Sequence, residues 1–308
     1  MKKIIFLIML NLVFFRGFAQ SNIRLNNYWG NPLNINPSAI YDKYLAVFSV
    51  AAHNQWIGFS GAPKTYSASA STYLEDYHTQ LGIKLFQDKI GYTNTTNIGF
   101  NYGYVIPYRY DWQMHLGLGV NYQLLNYDLS QVNLISKTDN EVYKNLESEN
   151  YFNADMGMEI TNKALRFGLA SQNIFSLFYP DNKKIQTNTN FVYAKYRYNT
   201  SHIVNYGIGV CGIQYSDIYQ MEFNATAYFK LTNRSGLQTQ PDLFDIGMYY
   251  RSGGELGLIF GFNITDDFHV GYSYDYHMGG VRRSSYGTNE IVLTYNLERK
   301  AICHNCWY

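Results

Sequence analysis

Hydrophobic and polar positions alternate through most of the chain, and the alternation is cleanest over residues 255–276. Leu256, Leu258, Phe260, Phe262 and Ile264 take every second place, with Gly257, Ile259, Gly261 and Asn263 between them. After Thr265-Asp266-Asp267 the pattern resumes, with Phe268, Val270, Tyr272, Tyr274 and Tyr276 set against His269, Gly271, Ser273 and Asp275. Successive side chains of a strand point to opposite faces. The stretch therefore predicts a β-hairpin with one greasy face and one face of small and polar groups.

The same period of two recurs over 43–56, 65–74, 80–86, 95–106, 111–125, 152–161, 165–173, 191–198, 203–215, 219–231, 244–250 and 291–297. With the two strands of the hairpin this makes about fourteen, an even number of segments near the length that a tilted membrane strand needs. The expected fold class is an all-β transmembrane outer-membrane β-barrel of about 14 antiparallel strands. Leu118 and Phe260 are expected to face lipid, and Gly119 and Asn121 the lumen. A soluble β-sandwich would also alternate, but it rarely sustains so many Tyr-rich strands with Gly and Asn opposite. If the first strand rises from the periplasm, the odd-numbered connections are extracellular. The longest polar breaks, 128–150 and 179–188, then fall outside with 279–285, while 232–241 is long for a periplasmic turn.

The ends of the chain depart from this pattern. Lys2 and Lys3 precede an apolar run, Ile4 to Phe15, that finishes in Gly17-Phe18-Ala19. This predicts an export signal over 1–19, the run being shorter than the roughly 20 residues of a membrane helix. Residues 20–42, Asn-rich and with Pro32 and Pro37, cannot form a central strand. They are expected to be a periplasmic lead or a segment that packs in the lumen and plugs it. The barrel is expected over 43–298 and a tail over 299–308.

Composition narrows the function. The chain has 31 Tyr and 19 Phe in 308 residues, and its 24 Lys+Arg and 23 Asp+Glu give a net charge of +1. No basic patch stands out, so no nucleic-acid partner is expected. No nucleophile elbow, phosphate loop or HExxH spelling occurs, and the 7 His are scattered. The chain is read as non-enzymatic, with no catalytic residues, no metal site and no cofactor. Asp155 and Glu159, on the lumen face of one strand, are read as solvation of a polar interior. His115, His202, His269 and His277 are placed in the lumen. Cys303 and Cys306 form a CxxC with too few ligands for zinc, and in an exported protein they are expected to form a small disulfide loop. Cys211 is left as an odd thiol on the lumen face.

Several short motifs add a resemblance. Asn36-Pro37-Ser38-Ala39, Gln55-Trp56-Ile57-Gly58, Gly61-Ala62-Pro63-Lys64-Thr65, Gln87-Asp88-Lys89-Ile90-Gly91, Gly271-Tyr272-Ser273-Tyr274-Asp275-Tyr276 and Asn289-Glu290-Ile291-Val292-Leu293-Thr294-Tyr295 follow in order. The series resembles the PorP/SprF family of outer-membrane proteins of the type IX secretion system of Bacteroidetes. It departs from the family pattern at Ser38, at His53, where Arg is usual, and at Asn289. The resemblance implies a barrel in the outer-membrane lipid that works with a secreted surface protein such as an adhesin, in export, anchoring or gliding motility, or with other type IX secretion components. Asn36, Pro37, Gln55, Trp56, Gly58, Pro63 and Thr65 are the expected plug or partner-binding residues. The first extracellular turn and the loops 128–150 and 179–188 are expected to form the partner face. The alternative is an outer-membrane transport channel for small hydrophobic or polar solutes.

Overall fold

The computed structural model describes residues 25–108, 111–128, 148–179, 186–197, 199–200, 202–230, 242–278 and 285–298. The expected export signal, the tail with Cys303 and Cys306, and most of 128–150, 232–241 and 279–285 lie outside the described residues. Fourteen strands run in order: β1 (Tyr44–Asn54), β2 (Lys64–Leu74), β3 (Thr79–Ile90), β4 (Thr93–Pro107), β5 (Gln113–Tyr127), β6 (Glu149–Thr161) and β7 (Leu165–Gln172). They continue as β8 (Thr189–Arg197), β9 (Val204–Tyr215), β10 (Ile218–Phe229), β11 (Phe244–Arg251), β12 (Glu255–Asn263), β13 (Phe268–His277) and β14 (Thr288–Glu298). Each strand pairs antiparallel with the next, and β1 pairs with β14 to close the barrel. Closure leaves no edge whose backbone groups would lack partners in hydrocarbon.

Each stretch of period two holds one strand, so the expected fold class and strand count agree with the structure. The alternation also sorts the faces. Leu118, Phe260 and Tyr272 are exposed on the outside, while Ile259, Ser273 and Asp275 are buried. The largest difference in bounds is β3, expected to end at Phe86 and extending to Ile90. Among its last residues Asp88 points inward, where it accepts the Thr65 hydroxyl at 2.5 Å, while Gln87 and Lys89 are exposed.

The interior differs from a water-filled lumen. Glu159 and Glu222 are 0% exposed and Glu290 is 1% exposed. Burial at that level requires a charge to be paired. The solvation reading of Asp155 and Glu159 is therefore corrected. Asp155 accepts from Lys84 Nζ at 3.3 Å, and Glu159 accepts the Tyr193 hydroxyl at 2.5 Å with His115 and Arg166 each 3.4 Å away. His202 is likewise no lumen residue. It is exposed in the turn between β8 and β9, beyond the last paired residues.

The two ends of the barrel are unlike. The connections after β5, β7 and β13 leave long intervals of sequence and share one end, hereafter the long-loop end. At the other, short-turn end the connections after β2, β4, β6 and β12 are brief, the interval between Phe229 and Phe244 being the exception.

Candidate functional site

Residues 25–42 occupy the space that the alternation assigned to water. Two prolines and a run of turns keep them from pairing as a strand, and Pro32–Asn34 form a single 3₁₀ turn with proline in its first positions. Leu25 packs with Ala51 and Val292 towards the long-loop end. The segment then crosses the interior to Ile40, which packs with Tyr73 and Val105 towards the short-turn end, and continues into β1.

Its polar groups are answered by wall side chains from nearly every side. Glu290 on β14 takes the backbone N–H of Asn26 at 2.6 Å and of Asn27 at 2.8 Å, and His53 Nδ1 lies 2.9 Å from the same carboxylate. Asn26 Nδ2 donates to Ser273 on β13, and Arg251 on β11 donates to Asn26 Oδ1 at 2.9 Å. The Trp29 indole donates to Glu222 on β10 at 2.7 Å. Asn31 donates to Ser69 on β2, and Gln172 on β7 donates to the Asn34 carbonyl. Gln80 on β3 accepts from the Tyr41 N–H and donates to the Ala39 carbonyl, both at 2.9 Å. Burial pushes the Tyr41 phenol above its usual range, with Arg166 opposing the shift; it stays protonated and donates to Asn31 Oδ1 at 2.7 Å.

Asn36 and Pro37 sit at the centre of this packing. The Asn36 side-chain carbonyl accepts the Ser38 N–H at 2.9 Å and the Ser38 hydroxyl at 2.7 Å, folding the chain around Pro37 as an Asx turn. Its amide donates to Tyr193 on β8 at 2.9 Å. The wall beneath is glycine because nothing larger fits. A Cβ on Gly157 would overlap Asn36 Oδ1, and one on Gly117 would overlap the Pro37–Ser38 peptide. A Cβ on Gly209 would meet the Trp29 ring at 2.8 Å.

A ladder of charge braces the long-loop end of this packing. Glu222, Arg251, Glu255 and His277 stand directly opposite one another across β10 to β13. Arg251 donates to Glu222 at 2.5 Å and to Glu255 at 3.0 Å, with Asp275 at 3.6 Å. Alternation places these side chains inward, so the sequence carried the signal. What alternation does not state is whether water or protein meets them.

The remaining candidate residues lie apart, in and beside the turn between β1 and β2. The Gln55 N–H donates to the Pro63 carbonyl at 3.0 Å, closing the loop. Trp56 has a left-handed backbone with φ of 50°, its N–H donates to Thr288, and its ring lies 6.3 Å from His277. Gly58 takes φ of 94° and is exposed, whereas Pro63 and Thr65 are buried. Ile57 exchanges backbone hydrogen bonds with Tyr286 and Gly287, stitching the turn to the strand entering β14. Exposed aromatics at this end include Phe59, Phe178, Tyr179 and Tyr286. The expected site thus divides into a buried group, Asn36 and Pro37, a turn group, Gln55 to Pro63, and Thr65, buried on β2 where it donates to Asp88.

Beneath the segment, at the short-turn end, lies a cavity of about 880 Å³ lined by residues that include Trp29, Trp112, Arg166, Lys195 and Arg197. Among the described residues, no group of three or more His, Cys, Asp or Glu side chains is arranged to hold a metal ion.

A closed antiparallel barrel with an outward apolar band places the protein among the outer-membrane barrels. The description "Type IX secretion system membrane protein PorP/SprF" fits residues 17–295, and the chain belongs to that family. It is a protein of the cell outer membrane with a role related to secretion. The family description is that of a secretion membrane protein and names no catalytic activity.

Among solved structures, the CymD monoaromatic hydrocarbon channel is similar at a TM-score of 0.52 and 9% identity, over 87% of this chain and 93% of that one. The Acinetobacter baumannii outer membrane protein Omp33 is similar at 0.47 and 10% identity, over 82% and 98%. At such identities the likeness is one of fold alone. No curated relative matches the sequence.

Proposed function

We propose that the protein is a non-enzymatic component of type IX secretion that assists the export and surface anchoring of one partner protein, or links to the periplasmic secretion ring. In this reading residues 25–42 are a plug. The observation that carries it is the set of hydrogen bonds from Asn26 to Tyr41 onto strands all round the barrel, which leaves little of the interior for a solute path. Exposed Phe59, Phe178, Tyr179 and Tyr286 make the long-loop end the partner face, since aromatics on polar rims favour protein contacts. With β1 rising from the periplasm, that end is extracellular.

Conductance in planar bilayers and purification from the native membrane test the proposal together. A nearly silent barrel that brings down a secretion component or a large surface protein supports it. Steady openings from a barrel recovered alone would replace it with the channel reading.

A further inference from the structure

We propose that the short-turn cavity is a binding site for an extended peptide segment bearing carboxylates. Three cations share its inner wall. Arg166 on β7 and Lys195 on β8 are direct cross-strand partners, and Arg197 lies two residues further along the same face of β8. Like charges set directly opposite on a sheet destabilise it, so their retention calls for a compensating ligand or partner. Arg166 is answered by Glu159 at 3.4 Å and Arg197 by Asp242. Lys195 makes no ion pair among the described residues. Its ammonium donates to the Trp29 carbonyl at 3.0 Å and lies 5.9 Å from the Trp29 ring, with its other donors left for the cavity.

Further out, Lys43 and Lys163 line the same space against Asp42 and Asp111, of which Asp111 pairs with Lys163 at 3.1 Å. The cavity therefore presents Lys195 at its floor and Lys43 at its rim as lysines that pair with no carboxylate among the described residues. Its volume of about 880 Å³ falls in the range of roughly 300–1,000 Å³ of sites for drug-sized ligands. That is room for several residues of chain, far more than one inorganic anion needs. Trp112, half-buried in the cavity lining, supplies an apolar face for the chain between its charges. The inference rests on the cavity itself and holds whichever way the barrel is oriented and whichever partner the long-loop end takes.

The test titrates the detergent-solubilised full chain with hexaglutamate, hexaglutamine and inorganic phosphate, following tryptophan fluorescence, because Trp29 and Trp112 line the cavity. The expected result is saturable binding of hexaglutamate that weakens with added salt, with hexaglutamine inert and phosphate at least tenfold weaker. Lys195→Gln should lower hexaglutamate affinity about tenfold. Lys43→Gln, at the exposed rim where folding is not at stake, should lower it about threefold. Unboiled gel mobility verifies that each variant is a folded barrel. Phosphate binding as tight as hexaglutamate, equal binding by the wild type and a folded Lys195→Gln or Lys43→Gln variant, or no saturation would each overturn the proposal.

Discussion

Residues 25–42 and the turn from Gln55 to Pro63 both abandon alternation, and the barrel treats them differently. The first is sealed in the interior, with Tyr28, Leu33, Asn36 and Ser38 at most 1% exposed. The second sits on the rim, tied by backbone bonds to Tyr286 and Gly287, with Phe59 53% exposed. Both contain a proline, an aromatic and short polar residues, so local spelling does not separate them. What separates them is the wall opposite. The inward glycines of β5, β6 and β9 leave the clearance that one needs, whereas the other is bonded along the rim to Tyr286 and Gly287. A break in a barrel's alternation thus acquires its meaning from the strands it faces.

The sharpest way to break this contrast is to attack what holds the interior segment. Glu222→Ala removes the acceptor of the Trp29 indole and one of three carboxylates around buried Arg251. Breaking a buried pair from one side costs about 3–5 kcal/mol. Urea unfolding in lipid, read by gel mobility, should show a loss of that order, with Glu222→Gln losing less because it keeps an acceptor. A loss no larger than that of a rim substitution would mean that the segment does not brace the wall.

The second prediction contrasts the outer face with the inner. Leu118, 62% exposed on the outside of β5, should tolerate Arg poorly, at about 2–4 kcal/mol near the bilayer midplane. Asn121→Ala, three residues on and 4% exposed inside, puts no charge against lipid and should cost only about 1 kcal/mol. Equal costs in the same unfolding assay would show the two faces to be wrongly assigned.

The strand count and both faces were legible because a period of two is a local signal that survives without knowledge of partners. So was the placing of the Asn36-Pro37 motif outside the strands, whereas the first strand, expected to reach Trp56, ends at Asn54 and leaves Gln55 and Trp56 in the turn. The dryness of the interior was not. Glu159, Glu222 and Glu290 look the same in sequence whether water or a protein segment meets them. The clue that existed lay in the inward glycines Gly117, Gly157 and Gly209, which a water-filled lumen does not need. The cationic floor was hidden for another reason. Arg166 and Lys195 meet through register, which a single strand's sequence does not state.

A third and smaller effect concerns the latch at Glu290. Glu290→Ala leaves the Asn26 and Asn27 N–H groups and His53 without their acceptor. Orphaned buried groups cost about 1–3 kcal/mol. Because the start of the segment lies at the long-loop end, its release should raise single-channel conductance while the barrel stays closed and folded. A folded variant as silent as the wild type would show that the remaining contacts, from Trp29 to Tyr41, suffice to hold the interior shut.

The smallest effect on stability should come from the rim, and there the contrast becomes one of function. Trp56 is held with φ of 50°, a conformation that costs a bulky residue of order 1 kcal/mol or more and glycine almost nothing. Trp56→Gly therefore removes the ring that lies 6.3 Å from His277 while relieving the backbone, and the two changes should offset to within about 1 kcal/mol. The amount of folded barrel should not change. If the rim is the partner face, recovery of the partner from native membranes should nonetheless fall, and Phe59→Ala with Tyr286→Ala should lower it further, since those rings are exposed and brace nothing inside. Asn36→Ala should behave in the opposite way, lowering stability through Ser38 and Tyr193 before it touches partner recovery. Partner recovery that follows stability in all these variants would mean that the rim holds no partner, and that its irregular turn serves only to join β1 to β2.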